Sequence, residues 1–236
     1  MENNIFSSIE SFEFVKEYFS KNEWYLLTRD LKKLIKENMK AEANLEYPNV
    51  VIKGDVYIGK NCTMGSYVVI EGPVYIGDNV EIGSHAHIRP GSIISDNCVV
   101  GYTAGVKNSL MMEGSKISNH TFLGDSIMGS KARLGGHSET ANRRFDQQNI
   151  TWHFEKEEVE TGLDKLGAII GEKSRVAGAV MIFPGTVIGM NTFIASGANV
   201  SGYIPENKFV KSLTTYQIRD NKFEGELHQR STLANS

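Results

Sequence analysis

The sequence has few cysteines, no excess of basic residues and no long apolar run. Its 236 residues include 2 cysteines, Cys62 and Cys98, which are too few for a disulfide framework and indicate a reducing compartment. The formal net charge of −3 excludes a global basic field that would attract nucleic acid. No segment reaches the roughly 18 apolar residues of a membrane span, and the acidic N-terminus lacks the apolar core of a signal peptide. We therefore predict a soluble cytoplasmic protein with no nucleic-acid or membrane partner.

Large aliphatic residues recur at every sixth position through the middle of the chain. The register that starts at Ile52 continues through Ile58, Met64, Ile70, Ile76, Ile82, Ile88, Ile94, Val100, Val106 and Met112, and it returns at Ile170, Val176, Ile182, Ile188, Ile194 and Val200. A period of six fits neither an α-helix nor simple strand alternation. It predicts short strands joined by regular corners, with each inward side chain stacked on its equivalent one coil above, in roughly seven coils.

The residues two positions before each large aliphatic residue are mostly small or β-branched. Cys62 and Cys98 both occupy this register, so we predict that they are unreactive core thiols. Two phase slips of one residue, at Ile117/Leu123 and at Met128/Leu134, predict coils of unequal length. These features make the predicted core continuous but not uniform.

Three segments depart from the repeat. Residues 1–45 are predicted to be helical, because Leu27, Leu31, Leu34 and Ile35 form one apolar stripe on a helix. The repeat domain is assigned to residues 46–202 and contains an inserted loop at 142–165, for which we weigh a functional role against a purely structural excursion. Residues 203–236 are predicted to be a polar C-terminal extension.

The residues outside the repeat resemble a known family. The stretch VKNSLMMEGSKISNHTFLGDSIMGSKARLGGHSETANRRFD, at 106–146, resembles the C-terminal domain of sugar-1-phosphate nucleotidylyltransferases, above all of bifunctional uridylyltransferase/glucosamine-1-phosphate acetyltransferases and their archaeal relatives. The segment VETGLDKLGAIIGEKSRVAGAVMIFPGTVIG, at 159–189, and the helical EWYLLTRDLKKLIKENM match the same family. The resemblance implies an all-β solenoid: the left-handed parallel β-helix of hexapeptide-repeat acyltransferases, with N-terminal helices, an inserted loop and a trimeric assembly.

The resemblance also implies a reaction and a site. In this family acetyl-CoA donates an acyl group to the amine of a sugar phosphate, at a site between adjacent subunits, and a histidine takes the proton. By match of position, Arg89 and Lys107 are expected to hold the phosphate and Asn142 the sugar. The residues expected to face CoA are Gly136, Gly178, Ala195 and Ser196. Because no nucleotidylyltransferase domain is found in the sequence, nucleotidyl transfer is not expected.

Several expected site residues differ from the family pattern. Asn119 stands where the family has its catalytic histidine, and an asparagine cannot act as a base. Phe122 and Arg133, which we also place near the substrate, replace a tyrosine and an asparagine. The candidate bases are therefore His120, one residue later, and His137 in a neighbouring coil. The alternative for His120 is a corner residue bonded to solvent or a neighbour, and for His137 it is a bulky turn residue that partly closes the site.

Two further features have weaker interpretations. His85 and His87 have a spacing that can ligate a metal, but no partner with metal-ligand spacing is recognisable, so no metal is predicted. Arg143 and Arg144 could contact the phosphates of CoA or be ordinary solvated residues. The sequence predicts a CoA-dependent acyltransferase, in the first place an acetyltransferase, for an amino-sugar phosphate or nucleotide sugar. The alternative is an inactive sugar-phosphate-binding protein that regulates or scaffolds a partner.

Overall fold

The computed structural model of the chain describes residues 5–6, 13–20, 23–39, 47–213, 215 and 217–219. Within these residues the chain winds through three parallel sheets of eight short strands each. Successive strands belong to sheets A, B and C in turn, so each neighbour within a sheet comes from the next coil. The predicted left-handed parallel β-helix with N-terminal helices is thereby confirmed.

The strands of each sheet are two or three residues long. Sheet A contains, in stacking order, Val51–Lys53, Val69–Glu71, His87–Arg89, Gly105–Lys107, Phe122–Gly124, Glu139–Thr140, Met181–Ile182 and Asn199–Val200. Sheet B contains Val56–Ile58, Val74–Ile76, Ser92–Ile94, Leu110–Met111, Ile127–Met128, Ala168–Ile170, Thr186–Ile188 and Tyr203–Ile204. Sheet C contains Thr63–Met64, Glu81–Ile82, Val99–Val100, Lys116–Ile117, Arg133–Leu134, Arg175–Val176, Phe193–Ile194 and Phe209–Val210.

The inner core of the solenoid is built from the aliphatic repeat. One or two side chains from each strand point inward, and equivalents in successive coils pair directly, as Ile52 does with Ile70 and Ile70 with Ile88. Most of these residues are fully buried. Burying one aliphatic side chain stabilises a fold by about 1.5–3 kcal/mol. The stacked inward residues, which we call the inner ladder, therefore contribute much of the stability of the solenoid, because its short strands make few local contacts.

The predicted phase of the repeat needs one correction. Gly105 pairs with Phe122, so the coil there is 17 residues long, whereas Val51 pairs with Val69 over 18 residues. The missing residue is lost before Met111, which occupies the inner core, and Met112 belongs to a separate cluster. The slip therefore occurs one strand earlier than the sequence pattern indicated.

The sheets also extend past the predicted end of the repeat domain at residue 202. Tyr203–Ile204 pairs with the strand at 186–188, and Phe209–Val210 pairs with Phe193–Ile194. With eight strands in each sheet of the described residues, the solenoid has more than the roughly seven coils that were expected. These last coils are shorter and lack the six-residue spacing, which is why the pattern did not reveal them.

A second hydrophobic core covers the outer face of sheet B. A 3₁₀ turn at Glu13–Val15 leads into helix α1 at Lys16–Ser20, and helix α2 spans Trp24–Asn38. The apolar stripe of α2 is buried against outward-pointing residues of sheet B. Those outward residues include Ile93, Leu110, Ile127, Ile169 and Val187. No helix among the described residues is both long and apolar enough to cross a bilayer.

The inserted loop contributes to this second core. It contains an antiparallel hairpin, Thr151–Phe154 with Glu157–Glu160. The rings of Trp152 and Phe154 are buried, and they lie 6.0 and 5.2 Å from the ring of Trp24 on α2. The hairpin thus has a structural role, because it packs against helix α2 and holds this helix on sheet B.

Candidate active site

The turns from sheet C to sheet A stack into one corner, which we call the histidine corner and define by His120 and His137. Both residues adopt positive φ, 55° and 58°, and so does the residue at the same corner of neighbouring coils. Backbone hydrogen bonds connect the coils, as when the His137 N–H donates to the Asn119 carbonyl at 3.1 Å. The backbone turns sharply at these residues, which leaves both imidazoles exposed at the rim of sheet A.

A threonine in the preceding coil holds His120. The Thr103 Oγ1 lies 2.6 Å from His120 Nδ1 and 2.7 Å from the carbonyl oxygen of Tyr102, to which it donates. A threonine hydroxyl has one proton, and a carbonyl can only accept. The tautomer with its hydrogen on Nδ1 satisfies both contacts, because the hydroxyl then donates to Tyr102 and accepts from His120. In this tautomer Nε2 has a free lone pair, as a general base requires.

Aromatic stacking fixes the ring of His120 further. The rings of His120 and His137 are stacked with centroids 4.9 Å apart, and Tyr102 meets His120 edge-on at 5.5 Å. The stack continues along the corner through His85 and Tyr67. His120 is therefore exposed but flanked by rings on the two neighbouring coils, which restrict its orientation.

The residues expected to face CoA lie along the same corner. In four successive coils, a small or short polar residue directly precedes the positive-φ residue of this corner, and backbone hydrogen bonds connect each of these coils to the next. They are Asn119, Gly136, Gly178 and Ser196, and Ala195 comes directly before the last of them. The side-chain oxygen of Asn119 accepts a hydrogen bond from the Tyr102 N–H at 3.0 Å, so this residue links its corner to that of the preceding coil.

At the opposite edge of sheet A, the turns into sheet B form the aspartate corner, which we define by Asp125. The carboxylate of Asp125 is buried and accepts from Lys107 Nζ at 2.7 Å, from Asn108 Nδ2 at 2.8 Å and from Asn142 Nδ2. The second hydrogen of the Asn108 amide goes to the carbonyl of Thr28 on α2 at 2.8 Å. The expected ligands Lys107 and Asn142 are thus brought together and oriented by one buried carboxylate.

Between the two corners, an aromatic ring covers the outer face of sheet A. A Cβ on Gly124 would lie 2.5 Å from the ring of Phe122, and one on Gly105 would lie 3.2 Å from it. The ring of Phe122 therefore lies against the backbone of Gly105 and Gly124, where a residue with a side chain would displace it. Arg89 pairs in register with Lys107, so these two cations are lateral neighbours on this face, and Arg89 is exposed.

The structure places one predicted substrate residue on a different face. Arg133 lies on sheet C, where it pairs in register with Lys116 on one side and Arg175 on the other. It is therefore separated from Arg89 and Lys107 by the histidine corner. Contact between Arg133 and the sugar remains a prediction.

Beyond Phe122, the inserted loop and the last strands of sheet A border an open cavity of about 1000 Å³. Both the loop and the strands contribute apolar residues to the lining of this cavity. The lining includes Phe145, Ile150 and His153 of the loop, and Met181, Phe183 and Asn199 of the solenoid. The loop thus shapes the open face of sheet A in addition to clamping α2.

His85, His87 and the two thiols have structural roles. His85 belongs to the ring stack, whereas His87 points from sheet A toward Glu71, with Nε2 3.0 Å from the carboxylate. Cys98 is fully buried, and this burial raises the pKa of its thiol to about 11. Burial also raises the pKa of Cys62, which is only partly buried. Neither cysteine is activated as a nucleophile, in agreement with the predicted core role.

Sequence reasoning missed two residues of the site. Thr103 lies 17 residues before His120, and only the stacking of coils brings them together. Asp125 lies in the LGD segment of the stretch that carries the family resemblance, but its three partners come from two other turns, Lys107 and Asn108 from one and Asn142 from the other. The available signal was a polar residue at the corner position of several successive coils, such as Thr103, Asn108, His120 and Asp125.

Comparison with known proteins gives consistent matches. Residues 70–151 match the family model described as the GMPPB C-terminal domain. The chain is 36% identical over 188 residues to the uncharacterized acetyltransferase YaiX of Escherichia coli O6:K15:H31, covering 78% of this chain and 81% of that protein. It is 34% identical over 187 residues to the bifunctional protein GlmU of Methanocaldococcus jannaschii, covering 79% of this chain and 45% of that protein.

Two other matches are partial. The match to the GlmU protein of Methanococcus aeolicus, at 34% identity, covers 44% of this chain and 25% of that protein, so the chain spans a minor part of such bifunctional relatives. Among solved structures, a UDP-N-acetylglucosamine acyltransferase from Campylobacter jejuni shares 18% identity over 69% of each chain, with a TM-score of 0.43.

Proposed function

The chain belongs to the hexapeptide-repeat acyltransferases, and from this premise we propose that it transfers an acyl group, acetyl in the first place, from CoA to the amine of a sugar phosphate or nucleotide sugar. The family membership supports acyl transfer. The choice of CoA, of acetyl and of an amino-sugar acceptor is our proposal. We also propose that the active form is a cytoplasmic homotrimer, in which a neighbouring subunit closes the open faces of sheets A and C.

The single observation that carries the proposal is the position of His120, whose Nδ1 is 2.6 Å from Thr103 Oγ1 and whose ring is exposed at the rim of sheet A. We propose the tautomer in which Nδ1 donates to Thr103 and Nε2 is free. In the proposed reaction Nε2 removes a proton from the acceptor amine as the amine attacks the thioester carbonyl. His137, stacked on the same ring, is the second candidate for the base.

The acceptor is proposed to bind on sheet A. Arg89 supplies an exposed guanidinium for the phosphate, and Lys107 lies beside it. Because Lys107 is already paired with Asp125, Arg89 is proposed to be the stronger phosphate ligand of the two. Asn142, held by the same carboxylate, and the flat ring of Phe122 are proposed to contact the sugar.

The donor is proposed to lie along the histidine corner. The small residues there leave the backbone accessible next to both imidazoles. Backbone N–H groups at such positions can stabilise the negative charge that develops on a thioester oxygen. The residues proposed to contact CoA are Gly136, Gly178, Ala195 and Ser196.

Acyl transfer is tested by following CoA release from acetyl-CoA by chromatography, with a panel of amino-sugar phosphates and nucleotide amino sugars as acceptors. Chromatography is preferable to a thiol reagent because the protein has a partly exposed thiol at Cys62. We expect His120→Ala to lower kcat by at least about 100-fold with an unchanged thermal midpoint. The matched variant His137→Ala is expected to have a smaller effect.

Two outcomes would contradict the proposal in different ways. A fall in kcat with His137→Ala but not with His120→Ala would transfer the role of base to His137. No CoA release with any acceptor, together with retained sugar-phosphate binding, would instead support the inactive binding protein.

A further inference from the structure

One asparagine joins helix α2 to the aspartate corner. Asn108 lies at the turn from sheet A to sheet B and adopts a positive φ of 47°. Its Nδ2 donates to the carbonyl oxygen of Thr28 on α2 at 2.8 Å and to Oδ1 of Asp125 at 2.8 Å. Thr28 and Asn108 are 80 residues apart in the sequence, so only the folded structure brings the helix and this corner together.

The two contacts fix the orientation of the Asn108 amide. A carbonyl oxygen and a carboxylate only accept hydrogen bonds, so the group that faces both must be the amide nitrogen, which carries two hydrogens. The oxygen of the amide lies over the preceding coil, where a Cβ on Gly91 would be 2.3 Å from Oδ1. Asn108 is therefore held at its nitrogen by α2 and Asp125, and at its oxygen by the backbone of Gly91.

The hydrogen bond from Asn108 orients the carboxylate of Asp125. Asn108 binds Oδ1, whereas Lys107 Nζ and Asn142 Nδ2 both donate to Oδ2. With Oδ1 fixed, Oδ2 is directed at the two proposed acceptor ligands. Asp125 is 4% exposed, so water does not readily replace a hydrogen bond that this carboxylate loses. A shift of α2 would therefore reach Lys107 and Asn142 through two consecutive hydrogen bonds.

Helix α2 also contacts the loop that carries Asn142. The ring of Trp24 on α2 lies 6.0 Å from the ring of Trp152 in the inserted loop, and Asn142 is the first residue of that loop. The contacts thus form a closed circuit, from α2 through the loop to Asn142 and Asp125, and back to α2 through Asn108. A helix that served only to cover sheet B would need the apolar contacts alone.

We propose that Asn108 is a positioning residue for the acceptor, which couples the docking of helix α2 to the geometry of Lys107 and Asn142. The role rests on the proposed function, in which these two residues contact the sugar phosphate. In this role Asn108 acts through Asp125 and needs no contact with the acceptor. Helix α2 is thereby part of the acceptor site, although it packs on the outer face of a different sheet.

Calorimetric titration of the full chain with glucosamine 1-phosphate tests the role without any turnover. Asn108→Gly keeps a residue that accepts positive φ and removes both hydrogen bonds. We expect the dissociation constant to rise about tenfold, because a buried hydrogen bond to a charged group is lost. The matched control is Asn97→Gly, at another corner with φ of 60°, where the amide donates to Glu113 at 3.2 Å. It should change the dissociation constant by no more than about twofold.

Hydrogen exchange of the α2 backbone separates positioning from a loss of stability. Coupling between two sites is reciprocal, so bound glucosamine 1-phosphate should slow exchange in α2 of the wild type and of Asn97→Gly. The slowing should disappear in Asn108→Gly and in Asn108→Asp, which keeps the size of the side chain but cannot donate when ionised. A variant that is only less stable would exchange faster overall and would still respond to the ligand.

The outcomes separate this role from the proposed function. The role is overturned if the wild type does not bind glucosamine 1-phosphate, if Asn108→Gly binds it as tightly as Asn97→Gly, or if α2 responds equally in the wild type and the Asn108 variants. Thermal midpoints show which variants are folded, and Asn108→Asp is titrated if Asn108→Gly is not. Weaker binding in these variants supports the role even if no acyl transfer is found, whereas transfer with unchanged binding removes only the role.

Discussion

The outer faces of sheets A and B belong to the same coils and carry different side chains. Sheet B presents Ile93, Leu110 and Ile127 outward, whereas the same coils of sheet A present His87, Gly105 and Phe122. Both sheets share one inner ladder, so the difference lies only in the outward column. The aliphatic column of sheet B packs against α2 and the hairpin, and the mixed column of sheet A stays open. One repeat thus produces a face that the helix and the hairpin cover and a face that stays accessible.

This difference predicts that variants on the two faces affect different measurements. Residues of the second core should change the free energy of unfolding. Residues of sheet A and of the histidine corner should change catalysis with little effect on folding. The following predictions test that separation, in order of expected size.

Trp24→Ala tests the covered face. The indole is fully buried against Phe154 at 5.2 Å and Trp152 at 6.0 Å, and its loss leaves a cavity in the second core. We expect the free energy of unfolding, measured by urea titration, to fall by about 3–5 kcal/mol. The control Phe145→Ala removes a fully exposed ring and should change it by no more than about 0.5 kcal/mol. A loss below about 1 kcal/mol for Trp24→Ala would show that the cover contributes little.

Gly124→Ala tests the open face. The new Cβ would lie 2.5 Å from the ring of Phe122, so the ring must leave its position on the sheet. We expect an increased KM for the acceptor and a destabilisation of about 1–3 kcal/mol. Gly105→Ala is the matched control, because its Cβ would lie 3.2 Å from the same ring and requires a smaller shift. Equal KM values for both variants would mean that the position of Phe122 is unimportant for the acceptor.

Thr103→Ala tests the orientation of His120. The variant removes the oxygen that binds Nδ1 at 2.6 Å, and alanine tolerates positive φ, as Ala179 shows. We expect kcat to fall about tenfold, with the free energy of unfolding changed by about 1 kcal/mol or less. Thr103→Ser, which keeps the hydroxyl, should retain most of the rate. An unaltered kcat in Thr103→Ala would exclude a positioning role.

The titration of Tyr75 tests the covered face at high pH. Burial, and secondarily Tyr57, raises the pKa of this tyrosine on the outer column of sheet B to about 12. Between the ordinary pKa of about 10 and this value, the unfolded chain loses a proton that the folded chain keeps, so the free energy of unfolding decreases as the pH rises. Thermal midpoints across this range should fall less steeply for Tyr75→Phe. Parallel curves for the two proteins would contradict the assignment.

The inner ladder could be predicted from the sequence because its constraint is periodic. Each inward position must fit the residue one coil above, so Ile70, Ile76 and Ile82 reveal their role by spacing alone. The exact position of the slip could not be predicted in this way, since Met111 and Met112 are both large and apolar. Only the pairing with the coil before, in which Met111 matches Ile94, separates them.

The second core and the aspartate corner depend on contacts that leave no periodic pattern. Trp24 and Trp152 are distant in sequence, and nothing near either one specifies the other. Asp125 likewise collects Lys107 and Asn142 from neighbouring coils. The family resemblance located the region of the site, but it did not include the hydrogen bonds that orient its residues.

The inserted loop leaves and re-enters the solenoid at one point. The Leu166 N–H donates to the Asn142 carbonyl at 3.0 Å, so the two ends of the loop are hydrogen-bonded to each other. The strands on either side pair as if nothing separated them, as Glu139 does with Met181. The corner therefore tolerates changes in chain length without a change in register. The fold fixes only the part of the loop that keeps Trp152 and Phe154 packed on α2, so the rest of the loop can differ in length on a constant scaffold.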